Sequence, residues 1–426
     1  MADTEITAMT EYRKATGLRD WFDQRLGLST LTRVLLTEYW IPKNINYLWA
    51  AGMVLAVLFV LLVVSGLFLL MYYKPDAKLA FDSVNQTIMH EVAFGWLFRH
   101  IHAVAASVIF LVIYIHMLTG IYYGSYKRGR EVIWVTGMLL LVLFSVAGFS
   151  GYVLPWGQLS YWATTVVTNI FGSIPFVGND LLVWIRGDYS VADATLTRFF
   201  MLHVVLIPFS IAGLIVFHFY TLRFPHVNNQ EGAPIDFEHQ AIAYKEGDRH
   251  ASQVIPFWPV FMAKDLLVVC LFLLFFFYLV FYQYEFALDP VNFDRADYLK
   301  TPGHIYPEWY FLWSYETLRG WFFDIAGIKA KMLGLMAFGF ANVIFFLVPW
   351  LDRSPVVRPA SQRPYFRIWY WLLVADLVVL TIFGKLPPEG IREWVGFYAS
   401  AIFLTLFFAL PFISSMEARR QTGGHG

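Results

Sequence analysis

Charge-free apolar stretches of about the length of a membrane-crossing helix recur along this chain, and they constrain its fold more than any other feature. A helix spanning the hydrocarbon core needs roughly 20 mostly apolar residues, and in lipid only a helix or a closed barrel satisfies its own backbone. Such stretches cover residues 44–73, 100–126, a run from 132, then 199–222, 266–284, 332–351, 368–384 (interrupted by Asp376) and 395–416. Composition agrees: of 426 residues 58% are apolar and 15% charged, whereas a soluble domain is roughly a quarter charged. The expected fold is all-α, a polytopic membrane helix bundle of eight transmembrane helices in a lipid bilayer.

An even number of spans puts both termini on one side. Most of the 31 Lys and Arg residues flank the spans on that side, so the positive-inside rule makes both termini cytoplasmic. The polar lead before the first span is no signal peptide, and a bacterial cytoplasmic (inner) membrane is the expected location. The 31 basic residues balance 31 acidic ones, so no nucleic-acid partner is expected. The single cysteine, Cys270, excludes a disulfide framework, a Cys₄ metal site and haem attachment through Cys-x-x-Cys-His. It reads as a small core residue.

Two loops on the far side are long, residues 154–198 and 285–331, and long ordered loops usually carry function. The first opens with the uncharged run GYVLPWGQLSYWATTVVTN, which suggests a helix lying at the interface. The second contains Pro307, Glu308, Trp309 and Tyr310.

The second stretch holds His102 and His116, and the fourth holds His203 and His218. These are separated by 14 and 15 residues, close to four helical turns, so both histidines of a span face one sector, about 21–22 Å apart in height. The two spans run the same way, so His102 levels with His203 and His116 with His218. Imidazole in a membrane is expensive without a partner, and two rings facing across a bundle suit the axial positions of one haem iron. The expectation is two non-covalent haem b groups. Gly52 and Gly66 in the first span, and Gly137 and Gly151 in the third, repeat the 14-residue interval and would let a porphyrin approach the backbone. Arg99, one turn before His102, suits a propionate or a snorkelling position. Residues 1–227 are therefore expected to form a dihaem four-helix bundle, 228–261 a polar cytoplasmic linker, and 262–426 a four-helix C-terminal half.

The paired histidines, the paired glycines, GYVLPWGQ (151–158), PEWY (307–310) and Lys264–Asp265 together resemble cytochrome b of the quinol–cytochrome c reductase (cytochrome bc) complexes over nearly the whole chain. The resemblance implies an outer site of quinol oxidation containing Tyr152, Pro155, Glu308 and Tyr315, with Glu308 taking a quinol proton. It implies a low-potential outer and a high-potential inner haem. One electron would pass to a Rieske iron–sulfur protein and a c-type cytochrome subunit. The other would cross to an inner quinone site using Asp265 and Lys264, so that turnover contributes to the proton-motive force. A homodimer of the complex is implied as well.

The chain departs from many members in several places. The fourth-span interval is 15 rather than 14, Arg223 stands where mitochondrial members have a quinone-binding His, and Thr119 stands where many have a propionate Arg, a role left to Lys127, Arg128 or Arg130. The first two features occur in the photosynthetic branch. On these grounds the quinone is expected to be menaquinone. Ala163, where many members have Gly, should narrow the outer pocket and weaken methoxyacrylate inhibitors. Trp313–Ser314 replaces Pro–Phe, and nothing in the sequence explains that change. With Cys270 inside a span, no extra covalent haem is expected.

His100, about 200° around the helix from His102, should lie off the haem face. Asp376 should make a structural hydrogen bond rather than serve a proton relay. A dihaem membrane anchor of a quinone-linked dehydrogenase, with one quinone site and no Rieske partner, is the first alternative. A proton-coupled secondary transporter is the second, although no inverted repeat is seen.

Overall fold

The computed structural model describes residues 16–127 and 129–423; Arg128 and His425 lie outside the described residues. Among the described residues eight helices are long and apolar enough to cross a membrane: Tyr47–Leu70, Gly95–Tyr122, Glu131–Val153, Asp193–Leu222, Phe257–Tyr282, Ala330–Leu351, Pro364–Lys385 and Ile391–Arg419. The eight-span, all-α reading therefore holds, with shifted ends. The second span begins at Gly95, which brings Arg99 inside the helix. A Cβ on Gly95 would sit 1.9 Å from the Ile88 carbonyl, so only glycine permits this tight start.

Two irregularities have visible causes. The fourth span passes through a π-helical turn at Leu202–Leu206 before resuming as Ile207–Leu222. Pro208 lacks the N–H that an α-helix would direct to residue 204. A π-turn takes up one extra residue, which accounts for the 15-residue interval between His203 and His218. The sixth span changes to a 3₁₀ turn at Ile344–Leu347, just before Pro349.

By compactness the chain forms two units. One comprises residues 1–45 and 234–267, and the other comprises 46–233 and 268–426. In the first, strands Trp40–Pro42 and Val254–Pro256 pair antiparallel. In the second, one apolar core gathers residues of spans one to five with Tyr310, and another gathers Trp134 and Met117 with spans six to eight. The second span is the most enclosed of the eight. Helix association in lipid relies on close packing and polar contacts rather than hydrophobicity, and both occur here: Trp134 and Phe345 belong to one core, and Tyr114 packs against both cores. Trp134 Nε1 donates to the Phe345 carbonyl at 2.7 Å, and Tyr114 OH donates to that of Tyr310 at 2.6 Å.

A helix forms at Gln158–Gly172, where an interfacial one was expected, and a second follows at Gly178–Arg186. Cys270 is exposed on the fifth span, not a core residue as expected. In lipid the outward face of a span is itself apolar, so hydrophobicity does not separate core from surface. Asp376 is buried, but its Oδ2 has no hydrogen-bond partner among the described residues, so the expected structural bond is missing there.

Candidate haem and quinol sites

The four glycines face the four histidines. A Cβ on Gly66 would lie 3.2 Å from His102 Cε1, on Gly151 2.4 Å from His203 Cε1, on Gly137 3.3 Å from His218 Cε1, and on Gly52 3.9 Å from His116 Cε1. The rings of His102 and His203 have centroids 6.1 Å apart and are nearly perpendicular. A metal–imidazole bond is about 2 Å, so two rings on opposite sides of one ion have centroids roughly 6 Å apart. Among the described residues no group of three or more His, Cys, Asp or Glu is placed to hold a metal ion. A facing histidine pair therefore suits an ion whose remaining ligands come from a macrocycle.

The structure adds partners that the sequence reading missed. His102 Nδ1 is 3.0 Å from Ser65 Oγ, His218 Nδ1 is 2.8 Å from Thr136 Oγ1, and His203 Nδ1 is 2.9 Å from the Ala147 carbonyl. A bond at Nδ1 orients the ring and leaves Nε2 for a metal. Two of these groups were legible as a hydroxyl residue directly before a facing glycine: Ser65–Gly66 and Thr136–Gly137.

His102, His203, Gly66, Gly151, Arg99, Tyr152, Pro155 and Glu308 all line one cavity of about 310 Å³. Arg99 is buried, donates to Asn85 Oδ1 at 2.9 Å and lies over the Phe293 ring. His100 turns away from this cavity and stacks on Tyr284 at 3.8 Å, as its helical phase required. Burial pushes the Glu308 carboxyl up to about 7, the nearby Asp289 charge adds to the rise, and Lys385 opposes it.

The two long loops are stitched together at this cavity. Gln158 donates to the Lys300 carbonyl at 2.6 Å and accepts from the Asp297 N–H at 2.7 Å. Asn292 Oδ1 accepts from the N–H and the hydroxyl of Ser160, each at 2.9 Å. A Cβ on Gly157 would come within 2.2 Å of the Asn292 carbonyl, so the approach depends on glycine. Trp309 Nε1 donates to Ser107 Oγ at 2.7 Å and Trp313 Nε1 to Tyr114 OH at 3.1 Å, which fastens the PEWY segment to the second span.

Tyr315 does not line this cavity. It sits on the short helix Leu312–Arg319 with its ring under the Arg319 guanidinium. Ala163 is buried but does not line the cavity either. Lys127 is not available to a propionate: it pairs with Asp352 at 3.0 Å and donates to the carbonyls of Asp352 and Ser354. Arg130 donates to the carbonyls of Pro225 and His226. Arg223 caps the end of the fourth span. Asp265 is buried and Lys264 exposed at the start of the helix Met262–Tyr282, in the other compact unit.

The fold defines a class, the polytopic membrane helix bundles, and here histidines of two spans face each other across the bundle. Known proteins narrow it. The family described as Cytochrome b/b6/petB matches residues 36–225, and Cytochrome b(C-terminal)/b6/petD matches residues 295–404. Cytochrome b of Rhodobacter capsulatus is 41% identical over 95% of this chain and 93% of its own length. That of Rickettsia typhi is 35% identical over 95% and 96%. A solved chain of a hyperthermophilic respiratory Complex III superposes with a TM-score of 0.84 at 36% identity, covering 94% of this chain and 99% of that one. The chain belongs to the cytochrome b family, in its bc1 form. A cytochrome b of that form is a subunit of complex III, the quinol–cytochrome c oxidoreductase, and the family binds haem b.

Proposed function

We propose that the chain carries the quinol-oxidising and charge-separating core of its complex. The observation that carries the reading is the single cavity lined by His102, His203, Arg99, Tyr152 and Glu308. Two haem b groups, held by His102 with His203 and by His116 with His218, would supply one-electron carriers stacked across the membrane. Gly66, Gly151, Gly52 and Gly137 lie against the four histidine rings and would leave room for the groups, and Arg99, on the wall of the same cavity, would pair with a propionate.

Glu308 is the proton acceptor for quinol at the outer site. Its carboxyl is buried beside the cavity, so it exchanges a proton near neutral pH, where a general base works best. Tyr152 and Pro155 wall the quinol pocket. One electron leaves to a Rieske protein and a c-type cytochrome, and the other is used to reduce quinone at an inner site with Asp265 and Lys264. Tyr315 contributes from behind the pocket, through the short helix that follows PEWY. The complex is a homodimer in a bacterial inner membrane with both termini of this chain cytoplasmic. Menaquinone is the proposed quinone, and the support is Arg223 alone, because the π-turn accounts for the 15-residue interval.

The test is a potentiometric titration of the purified complex followed in b-haem absorbance, with extracted quinone assayed on the same sample. Two waves at separated potentials are expected. A single wave of one-haem amplitude would overturn the two-site reading, and ubiquinone alone would overturn menaquinone.

A further inference from the structure

Three of the four glycines that face a histidine follow a hydroxyl residue, as Ser65–Gly66, Thr136–Gly137 and Ser150–Gly151, whereas Gly52 follows Ala51. Each hydroxyl first serves its own helix. Ser65 Oγ donates to the Leu61 carbonyl at 2.6 Å, Thr136 Oγ1 to the carbonyls of Val132 and Ile133 at 2.9 Å, and Ser150 Oγ to that of Val146 at 2.7 Å. A hydroxyl has one hydrogen and two lone pairs. With the hydrogen spent on a carbonyl three or four residues back, the oxygen can only accept elsewhere. Ser65 Oγ lies 3.0 Å from His102 Nδ1, and Thr136 Oγ1 lies 2.8 Å from His218 Nδ1. In both contacts the ring must therefore donate, so each ring carries its hydrogen on Nδ1 and keeps a free lone pair on Nε2. At Ser150 the backbone takes the hydroxyl's place, because His203 Nδ1 donates to the Ala147 carbonyl at 2.9 Å. Ser65 and Thr136 are both buried, so bulk water does not compete for either bond.

We propose that Ser65 and Thr136 are positioning residues that tune the two haem b sites separately, Ser65 through His102 at the outer one and Thr136 through His218 at the inner one. A hydrogen bond donated from Nδ1 makes the opposite nitrogen a more basic ligand. A more basic ligand favours oxidised iron, so each hydroxyl holds the potential of its own site down. The two sites are about four helical turns apart in height, so deleting one hydroxyl leaves the other site alone. The difference between the two potentials drives the electron inward, and two single hydroxyls set part of that difference. The inference rests on both histidine pairs holding haem b.

The experiment is a potentiometric titration of the purified whole complex, followed in b-haem absorbance, for wild type, Ser65→Ala, Thr136→Val and Thr136→Ser, with haem content assayed on each sample. Ser65→Ala and Thr136→Val should each raise one wave, and not the same one. The expected size is roughly threefold to tenfold in the one-electron equilibrium constant, tenfold being about 59 mV. Valine keeps the shape of threonine without its hydroxyl, and serine keeps the hydroxyl without the methyl, so packing and hydrogen bonding are read apart. Thr136→Ser should give the wild-type titration. An unmoved or lowered wave in Thr136→Val at full haem content would overturn the inference, as would the same wave moving in both variants. If Thr136→Val loses its haem, Thr136→Ala is read instead, and two wild-type waves there would overturn it. A single wave of one-haem amplitude in the wild type would overturn the two-haem reading, and this inference with it.

Discussion

At the residue scale, the clearances at the four glycines rank them. A Cβ at Gly151 would lie 2.4 Å from His203, whereas one at Gly52 would lie 3.9 Å from His116, an ordinary contact. Gly151→Ala must displace the His203 ring. It is expected to abolish about half of the b-haem absorbance, because small volume changes are felt in close-packed sites, while Gly52→Ala leaves the spectrum close to wild type. A reduced-minus-oxidised spectrum of each variant checks this. Glu308 gives a second expectation. Its carboxyl is raised to about 7 by burial and then by Asp289. Only the deprotonated form accepts a proton, so quinol oxidation should rise with pH through about 7. Glu308→Gln should remove that limb and slow turnover by roughly a hundredfold or more. A pH–rate profile of the variant that keeps the wild-type limb would assign the limb to another group.

At the element scale, the fourth span shows how one proline alters what a spacing means. The 15-residue interval reads in the sequence as a mark of lineage and of quinone type. In the structure it is absorbed by the π-turn Leu202–Leu206, next to Pro208. Deleting Val205, which lies in that turn and is exposed, should let the turn relax towards α-helix and keep His203 and His218 on one face. Both b-haem signals should survive the deletion. Loss of one signal would mean that the turn sets the position of His203 in a way a plain helix cannot. The loops carry a related lesson. The sequence placed GYVLPWGQ and PEWY at one site by resemblance, while the structure shows the fastening through Gln158, Ser160 and Asn292. Asn292 and Asp289 belong to no motif, and only the folded chain brings them to the cavity.

At the scale of the whole molecule, a buried ionic cluster joins the loop after the second span to the last three spans. Asp352 accepts from Arg363 at 2.7 and 2.9 Å and from Lys127, while Tyr126 OH donates to Oδ2 at 2.5 Å. Glu417 accepts from Arg363 at 3.0 Å and from the N–H groups of Tyr365 and Phe366 at the start of the seventh span. Burial works against the Asp352 charge, but Arg363 and Lys127 outweigh it and hold its carboxyl below the usual range. Asp352→Ala would leave two buried cations with one carboxylate. It is expected to destabilise the folded protein by about 3–5 kcal/mol, seen as a lower Tm in detergent. An unchanged Tm would show that the cluster contributes no net stability.

The sequence by itself determined the eight spans, because in lipid a backbone without internal hydrogen bonds is too costly and apolar length alone selects the crossing segments. It also determined the histidine and glycine faces, since helical periodicity turns a 14-residue interval into a direction. Tertiary structure alone decided what those intervals do not encode. Cys270 faces outward because apolar spans look alike on both sides. Lys127 is committed to Asp352 rather than left for a haem because a partner distant in the chain takes the side chain, and Tyr315 stands outside the cavity lining, under the Arg319 guanidinium of its own short helix. Among the described residues Asp376 Oδ2 has no partner, because whether a buried acid finds a donor depends on which neighbours the packed bundle brings within reach.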